Sequence, residues 1–457
     1  MNKRLYHIGL LAYLVLLILS VIFYKERTIF TDIAFHLFCI VKDSSLAIQN
    51  FRFVAISTQF LPLMARKAEM SLSSIMYIYS ASFVLYYAAC YVICGSILKR
   101  YEYAMIVLLC NVLFVSDTYY WIQSELPQAI SIMIVVLAYV HNRSFATANP
   151  IALALVFIGI FTASFSHPLL LIPFLYCVTF LLLSKDIHID SKLLYVVTVF
   201  YIGMVIIKNL IFKTPYESAA MNSSGKLINT FPHYFQIYSN KRFLQNCITK
   251  YYWMPVIGIA ISAHYFITKQ WAKMLLFCTF FVAYLLLINV SYPGRDTSNS
   301  YIENLYMPLG IIIALPFVFD LLPLLDTKKL AYPAFTIILI TGCIRMYGSH
   351  SAYTQRLDWE RRFLNDNGSK KLLIDFKKVP TDTLMLVWAT PYEFWLLSTI
   401  ENHHSASITI SDDPNGIAWG ISNSKAFLPA WGSFPYSDLP KQYFPFDDTV
   451  SAYTLIK

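Results

Sequence analysis

Apolar runs separated by short polar links fill residues 1–347 of this chain. A helical run must reach roughly 20 residues to cross bilayer hydrocarbon. On that measure the pattern predicts about eleven spans, at 5–23, 74–97, 103–118, 126–140, 150–165, 168–184, 193–211, 254–268, 273–291, 305–322 and 330–346. Two links are long, 24–73 and 212–253. The first holds two apolar-rich stretches, Ile29 to Val41 and Phe51 to Ala65, each too short to span and each carrying or flanked by charges. Such stretches fit helices lying in the interface plane, above the mouth of a bundle.

After residue 347 the pattern changes. Tyr353 to Leu364 reads as an amphipathic helix, Leu384 to Ala389 as a strand, Pro391 to Ile400 as a helix opened by its proline, and Ser407 to Ile410 as a second strand. The Pro- and aromatic-rich stretch Phe427 to Phe446 reads as irregular packing. The expected architecture is an α-helical polytopic bundle over 1–347 followed by a small soluble α/β domain over 348–457.

Composition agrees with this division. The chain is 57% hydrophobic and 13% charged, where soluble domains carry about 25% charge; that excludes a soluble enzyme. Its 33 Tyr and 34 Phe exclude a disordered chain. Charge also splits at the boundary. Residues 348–457 hold 10 Lys and Arg against 12 Asp and Glu, and the preceding residues hold 25 against 14. The excess cations sit in short links rather than on one patch, which argues against nucleic acid as a partner.

Those cations also predict an orientation. Lys3, Arg4, Lys99, Arg100, Arg143, Lys185, Lys192, Lys269, Lys273, Lys328 and Lys329 all fall on the side of the N-terminus, whereas the opposite short links supply only Arg295. Basic residues near span ends stay in the cytoplasm. The N-terminus is therefore expected inside, and an odd number of spans puts the soluble domain outside the cytoplasmic membrane. The first run reads as an uncleaved signal anchor, because Tyr24 to Arg27 makes a poor cleavage site. The eight cysteines lack zinc-type spacing, and a Cys39–Cys247 disulfide stays open.

Chemistry should reside in ionisable groups on the outer side. Asp32 and His36 lie one turn apart on the first interfacial stretch, with Arg52 opening the second. Glu125 starts the fourth span behind Ser124 as a cap and ahead of Pro127. His167 occupies the tight link Ser164 to Pro168, and Arg295 and Glu303 flank the start of the tenth span. Each also has a plain reading as an interface polar group, a helix-start acid or a turn residue. Their shared side of the membrane joins them. Lys208, His264 and Asp320 lie within spans, where pairing or snorkelling accounts for the first two and solvation near the cytoplasmic end for Asp320.

A signal-anchor span, a long first outer loop with an early acid (Phe30-Thr31-Asp32-Ile33), a second acid in the next outer loop (Ser124-Glu125) and a C-terminal outer domain together resemble the integral-membrane GT-C glycosyltransferases. The likeness covers nearly the whole chain. It implies transfer of a sugar from a polyprenyl-phosphate carrier to an envelope acceptor, whether lipid, glycan or protein. It further implies Asp32 as catalytic base, Glu125 assisting it in acceptor or metal binding, and Arg295 on the carrier phosphate; His36, Arg52, His167 and Glu303, read from their place on the outer side, are the further candidate substrate contacts. The paired acids common in that superfamily are absent, since Asp32 stands between Thr31 and Ile33. Cofactor need is open, a divalent metal included. The other classes compatible with the pattern are an envelope polysaccharide polymerase or ligase, a flippase or transporter, and a non-catalytic scaffold. The tail is expected to serve recognition, with Glu393 and Glu401 structural and tolerant of change.

Overall fold

The computed structural model describes residues 3–141, 149–184, 189–212, 214, 215, 217, 229–293, 299–368, 371–413 and 425–456. The apolar runs fold into helices: α1 (Lys3–Ile22), α2 (Tyr24–Thr28), α3 (Thr31–Asp43), α4 (Ile56–Lys67), α5 (Leu72–Val92), α6 (Tyr101–Cys110) and α7 (Glu125–Val140). They continue with α8 (Pro150–Ser166), α9 (Leu171–Leu183), α10 (Ser191–Ile211), α11 (Tyr238–Thr249), α12 (Trp253–Ile267), α13 (Trp271–Ser291), α14 (Asn299–Pro316), α15 (Leu322–Thr327) and α16 (Ala331–Gly348). Among the described residues, six helical stretches are long and apolar enough to cross a membrane, and five shorter apolar helices lie beside them. The shorter ones, α6, α7, α8, α9 and α12, coincide with runs expected to span.

Side-chain contacts separate two ends of this bundle. At one, Tyr6 bonds Ser96 at 2.7 Å and Lys273 bonds Asp320 at 2.9 Å. At the other, the end of α1 and the loop helices α2 to α4 meet the C-terminal region, with Lys25 on Glu401 at 2.6 Å and Thr354 on Glu26 at 3.0 Å. Both interior acids and cations thus find partners. Asp320 takes Lys273 and Tyr265, and Lys208 takes Glu217 at 2.9 Å.

α3 shows why its sequence forms an amphipathic helix. Ile33, Ala34, Leu37, Phe38, Ile40 and Val41 repeat at helical spacing and are buried, while Asp32, Phe35 and Cys39 are only partly covered. α4 buries Thr58, Gln59 and Leu63, and leaves Ile56, Phe60, Leu61 and Met64 exposed as an apolar face. Cys39 and Cys247 are both free.

The C-terminal region is α17 (His350–Asn367), β1 (Leu372–Asp375), α18 (Thr381–Leu384), α19 (Thr390–Asn402), β2 (Ile408–Ser411), β3 (Ala426–Phe427), β4 (Phe434–Pro435) and β5 (Thr454–Ile456). A parallel sheet of order β2-β1-β5 pairs Leu372 with Ile408 and with Thr454, and β3 pairs antiparallel with β4. α17, α19 and β2 form where expected. The expected strand at Leu384 to Ala389 does not form: Met385 adopts φ 60°, which breaks an extended run and turns Leu386 and Trp388 aside.

This region grips the first loop through buried charge. Arg356 and Glu393, 1% and 0% exposed as side chains, pair directly, and Glu360 sits 3.1 Å from the same guanidinium. Arg356 donates to the Ile29 carbonyl at 2.7 Å, and the Thr31 amide donates to Glu393 at 2.6 Å. Thr31 holds φ 37°, a left-handed conformation that a β-branched residue keeps only when its surroundings impose it. The clamp sits one residue before Asp32. Glu393 is thus structural as expected, but tolerance of change there is not what a buried ion pair implies.

Candidate functional site

A cavity of about 580 Å³ opens at the end of the bundle where these elements meet. Asp32 and His36 enter it from α3, Gln49, Asn50 and Arg52 from the loop after α3, Trp121, Gln123 and Ser124 from the segment before α7, and Glu125 from the first position of α7. His167 comes from the α8–α9 link, Asn304 and Leu305 from α14, and Leu386, Trp388 and Trp431 from the C-terminal region. Local backbone explains several of these placements. Asn50 and Phe51 both take positive φ, at 50° and 57°, and this reversal turns Arg52 back over the bundle. Ser124 occupies the position before α7 without a side-chain cap bond, so the expected cap is positional only.

Two sides can be told apart. On one, Trp121 Nε1 donates to Asp32 Oδ2 at 3.2 Å. Burial pushes the Asp32 carboxyl up from 3.8 to about 6, opposed by the Trp121 hydrogen bond and by Arg52 and assisted by the Glu125 charge. His36 is 2% exposed, and neither ring nitrogen meets a partner at hydrogen-bond distance. Burial holds its imidazole below the ordinary range, although Glu125, Gln49 and Gln123 favour the charged form. A largely neutral imidazole thus faces the cavity.

The other side is ionic. Arg52 Nη1 donates to Glu125 Oε2 at 2.9 Å, Gln123 donates to Glu125 Oε1 at 3.2 Å, and Glu217 lies 3.9 Å from Arg52 Nε. With Lys208 on Glu217, the sequence of charges runs cation, acid, cation, acid. His167 Nδ1 accepts from the Leu169 amide at 3.2 Å, which leaves the proton of a neutral ring on Nε2. Burial, then Arg52 and Lys208, hold that imidazole well below its ordinary range. His167 is a neutral hydrogen-bond donor at neutral pH.

Five sequence candidates, Asp32, His36, Arg52, Glu125 and His167, therefore line one cavity. Glu303 does not. One of its oxygens takes the Ser116 and Thr118 amides and the Thr118 hydroxyl at 2.7–2.8 Å, and the other takes Tyr251 at 2.7 Å. Its acceptor oxygens are spent on shaping the turn after α6, and it stands one residue before the lining Asn304. Arg295 lies outside the described residues. Among them no group of three or more His, Cys, Asp and Glu side chains converges for a metal. Glu125, the acid the resemblance offered to a metal, is engaged by Arg52 and Gln123, so these residues do not fit one.

Sequence reading missed the C-terminal wall, Trp388 and Trp431, whose rings stack at 4.3 Å and 19°. One signal was present. Five of the chain's eight Trp lie beyond residue 348, in the polar part of the molecule. Comparison with known proteins finds no matching family model, no matching curated protein and no matching solved structure.

Proposed function

We propose that this protein is an integral-membrane glycosyltransferase that moves a sugar from a polyprenyl-phosphate carrier to an envelope acceptor at the outer face of the cytoplasmic membrane, in the manner of the GT-C enzymes. In this reading all eleven apolar helices span, α3 and α4 lie at the interface, the N-terminus is inside, and the cavity and C-terminal domain are outside. The observation that carries it is the meeting, in one cavity, of the desolvated Asp32 carboxyl with a donor side built from the Arg52 guanidinium and the neutral His167 imidazole.

The chemistry balances with these groups alone. Asp32 takes the proton of the acceptor hydroxyl or amine as that atom bonds to the anomeric carbon. The bond from that carbon to the phosphate oxygen breaks with its electron pair, leaving polyprenyl phosphate. Arg52 and the Nε2 proton of His167 meet the phosphate, whose charge is already present in the carrier and grows as it departs. Glu125 and Glu217 hold Arg52 in place. A base near 6 suits proton removal at neutral pH, since it is ionised there without being a weak acceptor. One displacement inverts the anomeric centre.

The test uses purified full-length protein with a panel of polyprenyl-phosphate sugars and candidate envelope acceptors. Release of polyprenyl phosphate with inverted product supports transfer. Absence of release with every donor favours transport or scaffolding, and donors accepted only as pyrophosphate-linked oligosaccharides favour a polymerase or ligase.

A further inference from the structure

Resting on that reading, we propose that Trp388 and Trp431 form a sugar platform, so that the acceptor enters as a neutral pyranose ring laid against their indoles. The pair is presented rather than merely packed. Trp431 is 69% exposed although stacked on Trp388, and Phe35, beside His36 on α3, meets both rings. The Trp431 backbone adopts φ 65°, a left-handed conformation that a bulky residue keeps only where its surroundings hold it. The next residue is a glycine for a steric reason: a Cβ on Gly432 would lie 2.5 Å from the Phe434 ring. The turn is tied down by Tyr392, which donates to the Ala430 carbonyl at 2.6 Å, and by Thr409, which donates to that of Leu428 at 2.7 Å.

The surrounding chemistry selects the occupant. An indole face carries negative quadrupole charge and attracts the slightly positive C–H face of a sugar ring. The ring's hydroxyls then need donors and acceptors near the platform's rim. Gln49, Asn50 and the 2% exposed His36 line the same cavity. An apolar chain would leave these groups unmatched, at a cost. Phe35, which meets both rings, stands three residues after Asp32 on α3, so a ring held on the platform lies beside the helix that carries the base and is the group that loses a proton to it.

The experiment reads binding without turnover. Full-length protein in detergent is probed with methyl glycosides of glucose, galactose, mannose and N-acetylglucosamine by saturation-transfer difference NMR, with tetramethylammonium as a cationic competitor. The platform predicts saturation of ring C–H protons for at least one glycoside. Trp388→Ala and Trp431→Ala should each weaken its affinity at least about tenfold, Trp388→Phe should recover most of it, and all three should keep the wild-type melting temperature. No signal from any glycoside, wild-type affinity in both alanine variants at wild-type melting temperature, or displacement by tetramethylammonium overturns the platform. If the alanine variants melt early, the Trp388→Phe comparison decides, and a loss of affinity equal to that of Trp388→Ala counts against it. Glycoside binding by a protein that turns over no donor would sink the transferase reading and leave the platform standing.

Discussion

Replacing Asp32 by Asn should make the protein more stable and less active, and both effects follow from one property of the site. The carboxyl sits at about 6 instead of 3.8 because the cavity desolvates it. A shift of that size corresponds to at most about 3 kcal/mol against the charged form. The sign follows from proton binding. Between about pH 4 and 6 the unfolded chain has released this proton and the folded chain has kept it, so stability falls as pH rises through that window. At neutral pH the wild type bears the whole cost, and the near-isosteric Asn bears none. Thermal unfolding in detergent at pH 4.5 and pH 7.5 measures this. The variant should melt higher at pH 7.5, with the gap closing at pH 4.5. Loss of a positioned base should lower kcat by about 10²–10⁴-fold with little change in donor binding, and wild-type kcat/KM should rise with pH to a plateau above about 6. A variant that is no more stable at neutral pH would refute the account of Asp32 as a desolvated carboxylate. One that turns over donor at the wild-type rate would refute its role as the base.

Arg52→Ala should raise the donor KM by about tenfold or more, the worth of one charge-assisted hydrogen bond, because the phosphate is charged before reaction; an effect on kcat alone would place Arg52 elsewhere. Glu393→Gln should destabilise the protein by about 3 kcal/mol, because it strips charge from a fully buried partner of Arg356, and adding Arg356→Met should restore part of the loss. Thermal unfolding of both variants checks this, and an unchanged Glu393→Gln would remove the clamp from the account. Reporter fusions at Lys99, Lys269, Lys328 and the C-terminal end should give periplasmic activity only at the last; activity at Lys269 would overturn the topology.

What was legible in the sequence was what depends on periodicity. Helices formed on the apolar runs, and the spacing of Asp32 and His36 on α3 sufficed to put both on one cavity. What was not legible depends on long-range contacts. Thr31 is held by a glutamate 362 positions away, and nothing near either residue announces the pairing. Glu303 had the right location in the chain, yet the amides of a turn 185 and 187 positions distant claim its carboxylate. Local propensity misled at Leu384 to Ala389, where β-forming residues are overridden by the left-handed Met385. Trp431 stood in a stretch read as irregular packing. The structure instead pairs β3 with β4 there, and the turn between them carries Trp431 to the cavity.

The central claim is that a lipid-borne phosphate docks on the Arg52 side with its departing sugar facing Asp32. It is tested most directly by a cryo-EM structure of the full-length protein in nanodiscs containing a polyprenyl phosphate. The account predicts phosphate density within about 3 Å of Arg52 and His167 Nε2, with the prenyl chain passing out into lipid. Phosphate bound at the opposite end of the bundle, beside Lys273 and Asp320, would contradict it.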